Sequence, residues 1–546
     1  MRLAATTAPS SPASSRRPEP RVHRTDSRGR ENGAVSEQGQ DTTAAGAAAP
    51  RTTSNRSTTP RSERFAEYLA SGWAERPQAE PAVREVAAHA AERRQRISRL
   101  HPGERLIVPA GLAKVRANDS DYPYRAHSAF AHLTGWGADT VPGAILVMEP
   151  SGDSHLATLH LREAAGRDSD EFYANPEIGE FWVGRRPTLG EVAAELGIAT
   201  GSLREFLAGL SALDWRVPTR IVRDADADLT ARVDALRGSE LPGAAAAASA
   251  PEDADAGQDR AGDEELARDL SELRLVKDAY EIAELRAAVA ATKLGFDDIV
   301  ADLPAIIAHP RGERVVEGTF NRRARIEGNA VGYETIVAAG PHACILHWTR
   351  NDGPVAHGEL MLVDAGVELD SYYTADITRT IPVSGRFTEV QRRVYEAVRE
   401  AADAAYAIVR PGIVFREIHA AAMAVIARRT AEWGILPVDA EKSLTSEEQY
   451  HRRYMVHGTS HHLGLDVHDC AQARRDFYID GTIEAGMVFT IEPGLYFQPD
   501  DLTVPEEYRG IGVRIEDNIL VTADGAEQLS AGIPRTADEV EAWIAG

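Results

Sequence analysis

The sequence predicts two folded domains: a mixed α/β domain in the N-terminal half and an α+β layer in the C-terminal half. Three observations carry this. The chain has 546 residues, too many for one ordinary core and enough for two. Between residues 82 and 210, strand-like apolar runs alternate with amphipathic helical runs. From about residue 270 onward, strand-like runs surround two strong helices with clear start and stop signals.

Residues 1–61 are rich in Ser, Thr, Pro, Arg, Gly and Ala and hold almost no large apolar side chain. They cannot bury a core and read as a disordered tail. Order is expected from RSERFAEYLASGW onward, and residues 62–265 form the expected N-terminal domain. Within it, residues 82–100 repeat apolar positions at helical spacing, RLIVPAG, AILVMEP and HLATLHL read as strands, and EVAAELG and LREFLAGL read as helices. Residues 238–265 lack aromatics and are dense in Ala, Gly, Asp and Glu, so they read as a solvated loop or linker.

Residues 266–546 form the expected second domain. It begins in a long helical pattern over 265–300. The runs ELMLVDAGVEL, ADITRTIPV, GMVFTIEPGLYF and GVRIEDNILVT follow as strands. One helix opens at Thr388 with Gln391 three residues on, a capping-box pattern, and ends near Pro411–Gly412; the next runs through REIHAAAMAVIARRTAEWG and stops at Gly434.

Composition excludes several functions. The formal net charge is −24, and an acidic surface repels nucleic acid and anionic membrane. No apolar run is long enough to span a bilayer. Two cysteines, Cys344 and Cys470, make no disulfide framework and suit a reducing compartment. Arg2, Arg16 and Arg17 are followed by no apolar stretch, so the chain reads as cytoplasmic.

The stretch HGTSHHLGLDVHD holds His457, His461, His462 and His468. Four carboxylates elsewhere stand inside apolar, strand-like runs: Asp364 in MLVDAG, Asp376 in TADITRT, Glu492 in FTIEPG and Glu516 in VRIEDN. A charge there is costly unless paired or bound to metal. Asp364 and Asp376 read as neighbours on a hairpin that turns near Leu369–Asp370–Ser371, which brings two carboxylates to one face. Four carboxylates and one imidazole form a hard, oxygen-rich set. Their charge of about −4 balances two divalent cations, with Mn²⁺ the best match.

The series VDAG, DITRT, HGTSHHLGLDVHD, TIEPGLY and GVRIEDN closely resembles the metallopeptidase superfamily with the pita-bread fold, and within it aminopeptidase P, the Xaa-Pro aminopeptidases. Upstream, NDSDYPYRAHSAFAHLTGW resembles the motif of that family's creatinase-like N-terminal domain. The resemblance implies metal ligands at Asp364, Asp376, His461, Glu492 and Glu516. It implies that His347, His457 and His468 line the substrate pocket, and that Tyr496 and Arg514 support it. It also implies peptide substrates with proline second and a homo-oligomer, dimer or tetramer. Glu492 is the expected general base, and His457 and His468 are expected to donate hydrogen bonds to the developing oxyanion. The interval between Asp364 and Asp376 is one residue longer than this family's pattern, so an extra residue is expected in the turn or a bulge.

Two alternatives share the motifs. A prolidase has the same ligands but takes Xaa-Pro dipeptides; Ser460 in HGTSH and the run VPEEYRGIGVRIED favour the aminopeptidase. A metal-free binding protein or a creatinase lacks the ligands, whereas this chain keeps all five. Other polar residues take plainer readings. His462, facing away from His461, packs or meets solvent; His89 and His451 read as surface residues; Cys344 and Cys470 read as small buried residues.

Overall fold

The structure is a computed structural model that describes residues 60, 62–75, 81–118, 120–175, 178–239 and 254–546. The expected disordered tail lies almost wholly outside the described residues, as does the middle of the expected 238–265 linker. Arg61–Gly546 make one compact unit.

The N-terminal part is a five-stranded mixed sheet in the order Ala199–Ser202, Ser154–Leu161, Ile145–Ser151, Arg105–Pro109, Thr219–Ile221. The inner three strands run antiparallel, and each outer strand joins parallel. Helix Val86–Leu100 covers one face through Ala90 and Ile97, both fully buried. The motif NDSDYPYRAHSAFAHLTGW ends in the short helix Ser128–Thr134, whose seven residues are all buried. Its Phe130 and Trp136 share one apolar cluster with Tyr372, Tyr373, Leu463 and Leu465 of the second half. That burial removes large aromatic and leucine surface from water, and so welds the two halves where the functional motifs lie.

The C-terminal part is the expected α+β layer. Strands Ile377–Pro382, Leu360–Ala365 and Ile336–Ala339 form one antiparallel sheet, and Val488–Ile491, Asp517–Val521 and Ala526–Gln528 form another. A ribbon of Gly494–Tyr496 and Gly512–Arg514 lies beside them. Helices Ala279–Ala301, Gly312–Glu327, Glu389–Ala407 and Arg416–Glu432 share their core. The capping box of Thr388 and Gln391 is present in full, and Gly434 ends the following helix with φ 70°.

Three expectations change. The helical pattern over 265–300 is two helices, Ala254–Leu273 and Ala279–Ala301. Between them Arg274 and Lys277 turn inward to Asp469, at 2.9 and 3.4 Å, Val276 bridges to Met487, and Asp278 caps the second helix. Residues 254–265 are helical and not a solvated loop, and the same helix runs through the expected 265/266 boundary. Its Asp263 is buried, accepts from the Ile221 amide at 2.9 Å and pairs with Arg223 and Arg237. His451 is buried against Ser443 and not at the surface; His89 is half-buried, 3.4 Å from Asp278. Cys344 and Cys470 are buried as expected, and burial pushes the Cys344 thiol up to about 12.

Candidate metal centre

The two aspartates meet because the chain doubles back between them. Leu360–Ala365 pairs with Ile377–Pro382 so that Asp364 faces Thr378, and Asp376 stands one residue before its strand. The crossing is tight: a Cβ on Gly366 would lie 1.7 Å from the Ala375 carbonyl oxygen, so only glycine fits. At the turn, the Leu369 carbonyl accepts from the Tyr372 amide (2.8 Å) and Tyr372 takes a left-handed φ of 72°. This turn lets both carboxylates reach the one Tyr333 hydroxyl.

Glu492 and Glu516 stand at breaks and not inside strands. Glu492 separates Val488–Ile491 from Gly494–Tyr496, and Glu516 separates Gly512–Arg514 from Asp517–Val521. A continuous ladder fixes alternate faces, and the break lets each side chain turn toward the aspartates. The Glu516 amide donates to the Thr378 carbonyl (3.1 Å), and the Thr378 hydroxyl donates to the Glu516 carboxylate (2.8 Å), tying this turn to the aspartate hairpin.

The histidine stretch runs alongside Val488–Ile491 through one bridge, His462 to Phe489. Strand alternation then divides the two adjacent rings. His461 Nε2 lies 3.3 Å from Asp376, 3.5 Å from Glu492 and 4.0 Å from Glu516. His462 points the other way, buried and stacked on Phe415 at 4.6 Å. It packs and does not meet solvent.

This set suits a hard divalent cation. Ligand atoms of Asp376, His461 and Glu516 all lie within 4.8 Å of one another. Glu516 Oε1 is buried and has no hydrogen-bond partner among the described residues. The Tyr333 hydroxyl lies 2.6 Å from both Asp364 and Asp376. It carries one hydrogen, so the second contact requires a protonated carboxyl or a nearby cation. Burial and the neighbouring carboxylates push Glu516 well above the usual range; burial first, then Asp376, raises Glu492 to about 7. Asp364 is also raised, by burial before its carboxylate neighbour, although Arg514 opposes it. Burial pushes Asp376 the same way, but the hydrogen bond and charge of His461 outweigh it and hold Asp376 below its ordinary value. Four carboxylates this close stay ionised together only with compensating positive charge.

Around the ligands, the Arg514 guanidinium pairs with Asp364 and donates to the Tyr496 hydroxyl (3.1 Å) and to Thr378 (3.1 Å). The Tyr496 hydroxyl donates to His457 Nε2 (2.8 Å), and His457 Nδ1 donates to the Gly458 carbonyl (2.6 Å). Both His457 nitrogens are thus engaged, which differs from the expected direct donation to an oxyanion. Burial, and then the Arg514 charge, lower this ring to about 3, so it is neutral. His468 is exposed, its ring 4.3 Å from that of His461. His347 is exposed and near enough for its charge to act on His468. Tyr333 and Thr378 escaped the sequence reading. Tyr333 sits in VGYETIV beside Glu334 with no motif to mark it, and Thr378 reads as an ordinary β-strand threonine.

The two-domain fold and the carboxylate–imidazole cluster define a metallopeptidase. The description of metallopeptidase family M24 matches residues 283–523, and that of the aminopeptidase P N-terminal domain matches residues 89–213. Xaa-Pro aminopeptidase 1 of Streptomyces coelicolor is 50% identical over 486 residues, covering 89% of this chain and 92% of its own. Zinc-substituted Escherichia coli aminopeptidase P in complex with product superposes with a TM-score of 0.70 at 30% identity, over 85% of this chain and 99% of that one. Proline aminopeptidase P II from Yersinia pestis gives a TM-score of 0.70 at 32% identity, over 84% and 99%. The chain belongs to the aminopeptidase P branch of metallopeptidase family M24. It has the pita-bread fold behind a creatinase-like domain and is a metal-dependent hydrolase.

Proposed function

We propose that the chain is an Xaa-Pro aminopeptidase that removes the first residue from peptides with proline second, using two divalent ions, Mn²⁺ the best match. The reading is supported by the convergence of Asp364, Asp376, His461, Glu492 and Glu516 in a chain 50% identical to an Xaa-Pro aminopeptidase. These five residues hold the ions. Ions bound there supply Lewis acidity and make a water nucleophilic near neutral pH.

Glu492 takes the proton from the attacking water as its oxygen bonds to the carbonyl carbon of the first peptide bond. It then hands the proton to the leaving nitrogen as the C–N bond breaks. His468, exposed beside His461, donates to the oxyanion. His457 acts through Tyr496: it accepts that hydroxyl's hydrogen and so, with Arg514, fixes where the phenol stands. His347 closes the pocket around substrate. The Xaa-Pro nitrogen carries no hydrogen, so a site that does not require one accepts this bond.

Among the described residues, no helix is long and apolar enough to cross a membrane. We place the enzyme in the cytoplasm as a dimer or tetramer, with no nucleic-acid or membrane partner.

The test is hydrolysis of a tripeptide with proline second, before and after chelation. Activity is expected to vanish on chelation and to return with Mn²⁺. Activity unchanged by chelation would refute the metal role. Turnover of an Xaa-Pro dipeptide alone would replace the aminopeptidase with a prolidase.

A further inference from the structure

We propose that Arg125, from the N-terminal domain, is a positioning residue for the hydrolytic centre: it pins the hairpin carrying Asp364 and Asp376 to the segment carrying His461 and His468. The proposal rests on the function inferred above. Arg125 Nε donates to Glu368 at 2.8 Å, and its guanidinium carbon lies 4.8 Å from the centre of the Tyr372 ring. Glu368 and Tyr372 both lie in the chain between the two aspartates. Arg125 Nη2 donates to the Leu465 carbonyl at 2.6 Å, and Nη1 lies 3.3 Å from Asp466. Leu465 and Asp466 both lie between His461 and His468. One planar fork therefore touches the middle of both ligand-bearing intervals.

The neighbouring Ser128 adds a second strap, donating to Asp466 at 2.6 Å. Glu368 is 6% exposed, so loss of Arg125 leaves a buried carboxylate with no counter-charge and only the Asn329 amide (2.8 Å) to hold it. The Leu465 contact is to a backbone carbonyl, so it bears on where the chain runs and not only on side-chain charge. Lysine keeps the charge but not the fork, and cannot reach Glu368, Leu465 and Asp466 together. The spacing at stake is that of His461 from Asp376, 3.3 Å in the structure. Misplacement by about 1 Å in such a centre costs on the order of 100-fold in rate.

A plainer role would be general stabilisation of the fold alone. Arg84 provides the control: its side chain has the same 32% exposure and also pairs with two carboxylates, Asp139 and Glu195, but both lie in the N-terminal domain. A cavity of about 290 Å³ lined by Arg125, Glu368 and Asp466 gives small solutes access to the fork.

The experiment uses the full chain loaded with Mn²⁺. Arg125→Gln is expected to remain folded below its melting transition and to lose about 100-fold in kcat/KM on a proline-second tripeptide. Added guanidinium at non-denaturing concentration is expected to restore part of the loss. Arg84→Gln is expected to melt earlier with kcat/KM unchanged. If Arg125→Gln does not fold, Arg125→Lys carries the test, with an expected loss of about 10-fold. Unchanged kcat/KM in the Arg125 variant that folds, or an equal loss in Arg84→Gln, would overturn the proposal. A parent inactive toward proline-second peptides would refute the functional reading instead. The Mn²⁺ affinity of the Arg125 variant against the parent, read by calorimetry, then still tests the positioning: weaker binding supports it and equal binding overturns it.

Discussion

Glu492→Gln is expected to lower kcat on a proline-second peptide by about 1,000-fold, within the range that a general acid–base group supplies. The substitution preserves shape and removes both the proton acceptor and one ligand charge. The fold should be unharmed for a specific reason. In the metal-free protein, Glu492 is one of four carboxyls that repel one another, and burial and Asp376 raise its proton affinity. Removing one member relieves that repulsion, so the metal-free melting temperature should stay level or rise. The decisive measurement is kcat at saturating Mn²⁺ beside a melting curve. Near-normal turnover would remove Glu492 from the proton transfers; loss of turnover with a collapsed melting transition would show only that the residue supports the fold.

The site was legible in sequence where chemistry violated its local pattern. Asp364, Asp376, Glu492 and Glu516 are charges in apolar runs, and such runs rarely hold unpaired charge. The division of His461 from His462 followed from strand alternation, although one bridge and not a full strand enforces it. Glu492 and Glu516 sit at strand breaks because the ladder must be interrupted for them to turn inward, and apolar periodicity does not register a two-residue gap. Tyr333 and Arg125 violate nothing locally: a tyrosine beside a glutamate and a threonine and an arginine in a polar motif look ordinary. Their significance comes from partners more than 30 and 240 positions away, respectively. The helix at residues 254–265 was hidden for the same reason. Its Ala, Gly and acidic composition mimics a linker, and Asp263 is neutralised by Arg223 and Arg237, which local pattern cannot connect to it.

His461→Ala should weaken Mn²⁺ binding by more than about 10-fold, the smaller loss typical when only a residue supporting a ligand is removed. The parent should also show, beyond the protons that Glu492 and Glu516 release in both proteins, a proton linkage from this ring that the variant lacks. Burial alone would lower the His461 ring, but the hydrogen bond to Asp376 and the charges of Glu492 and Asp376 overcome it and raise the ring to about 9. At pH 7 the metal-free ring is therefore protonated, and a cation can use its nitrogen only after that proton leaves. Mn²⁺ uptake by the parent should release at least one proton at pH 7, and its affinity should climb with pH until about pH 9. The same raised value has a second consequence. The protonated ring stabilises the metal-free fold fully below its ordinary value of about 6.5, and that contribution is lost as pH rises through the raised value. The metal-free parent should thus lose stability from pH 6.5 to about 9, while His461→Ala should lose less over this window. Calorimetry in buffers of different ionisation enthalpy measures the released protons, and melting curves against pH measure the slope. Equal proton release and equal Mn²⁺ affinity in parent and variant would exclude His461 as a ligand, because a residue that binds the ion must first surrender the proton that Asp376 helps it keep.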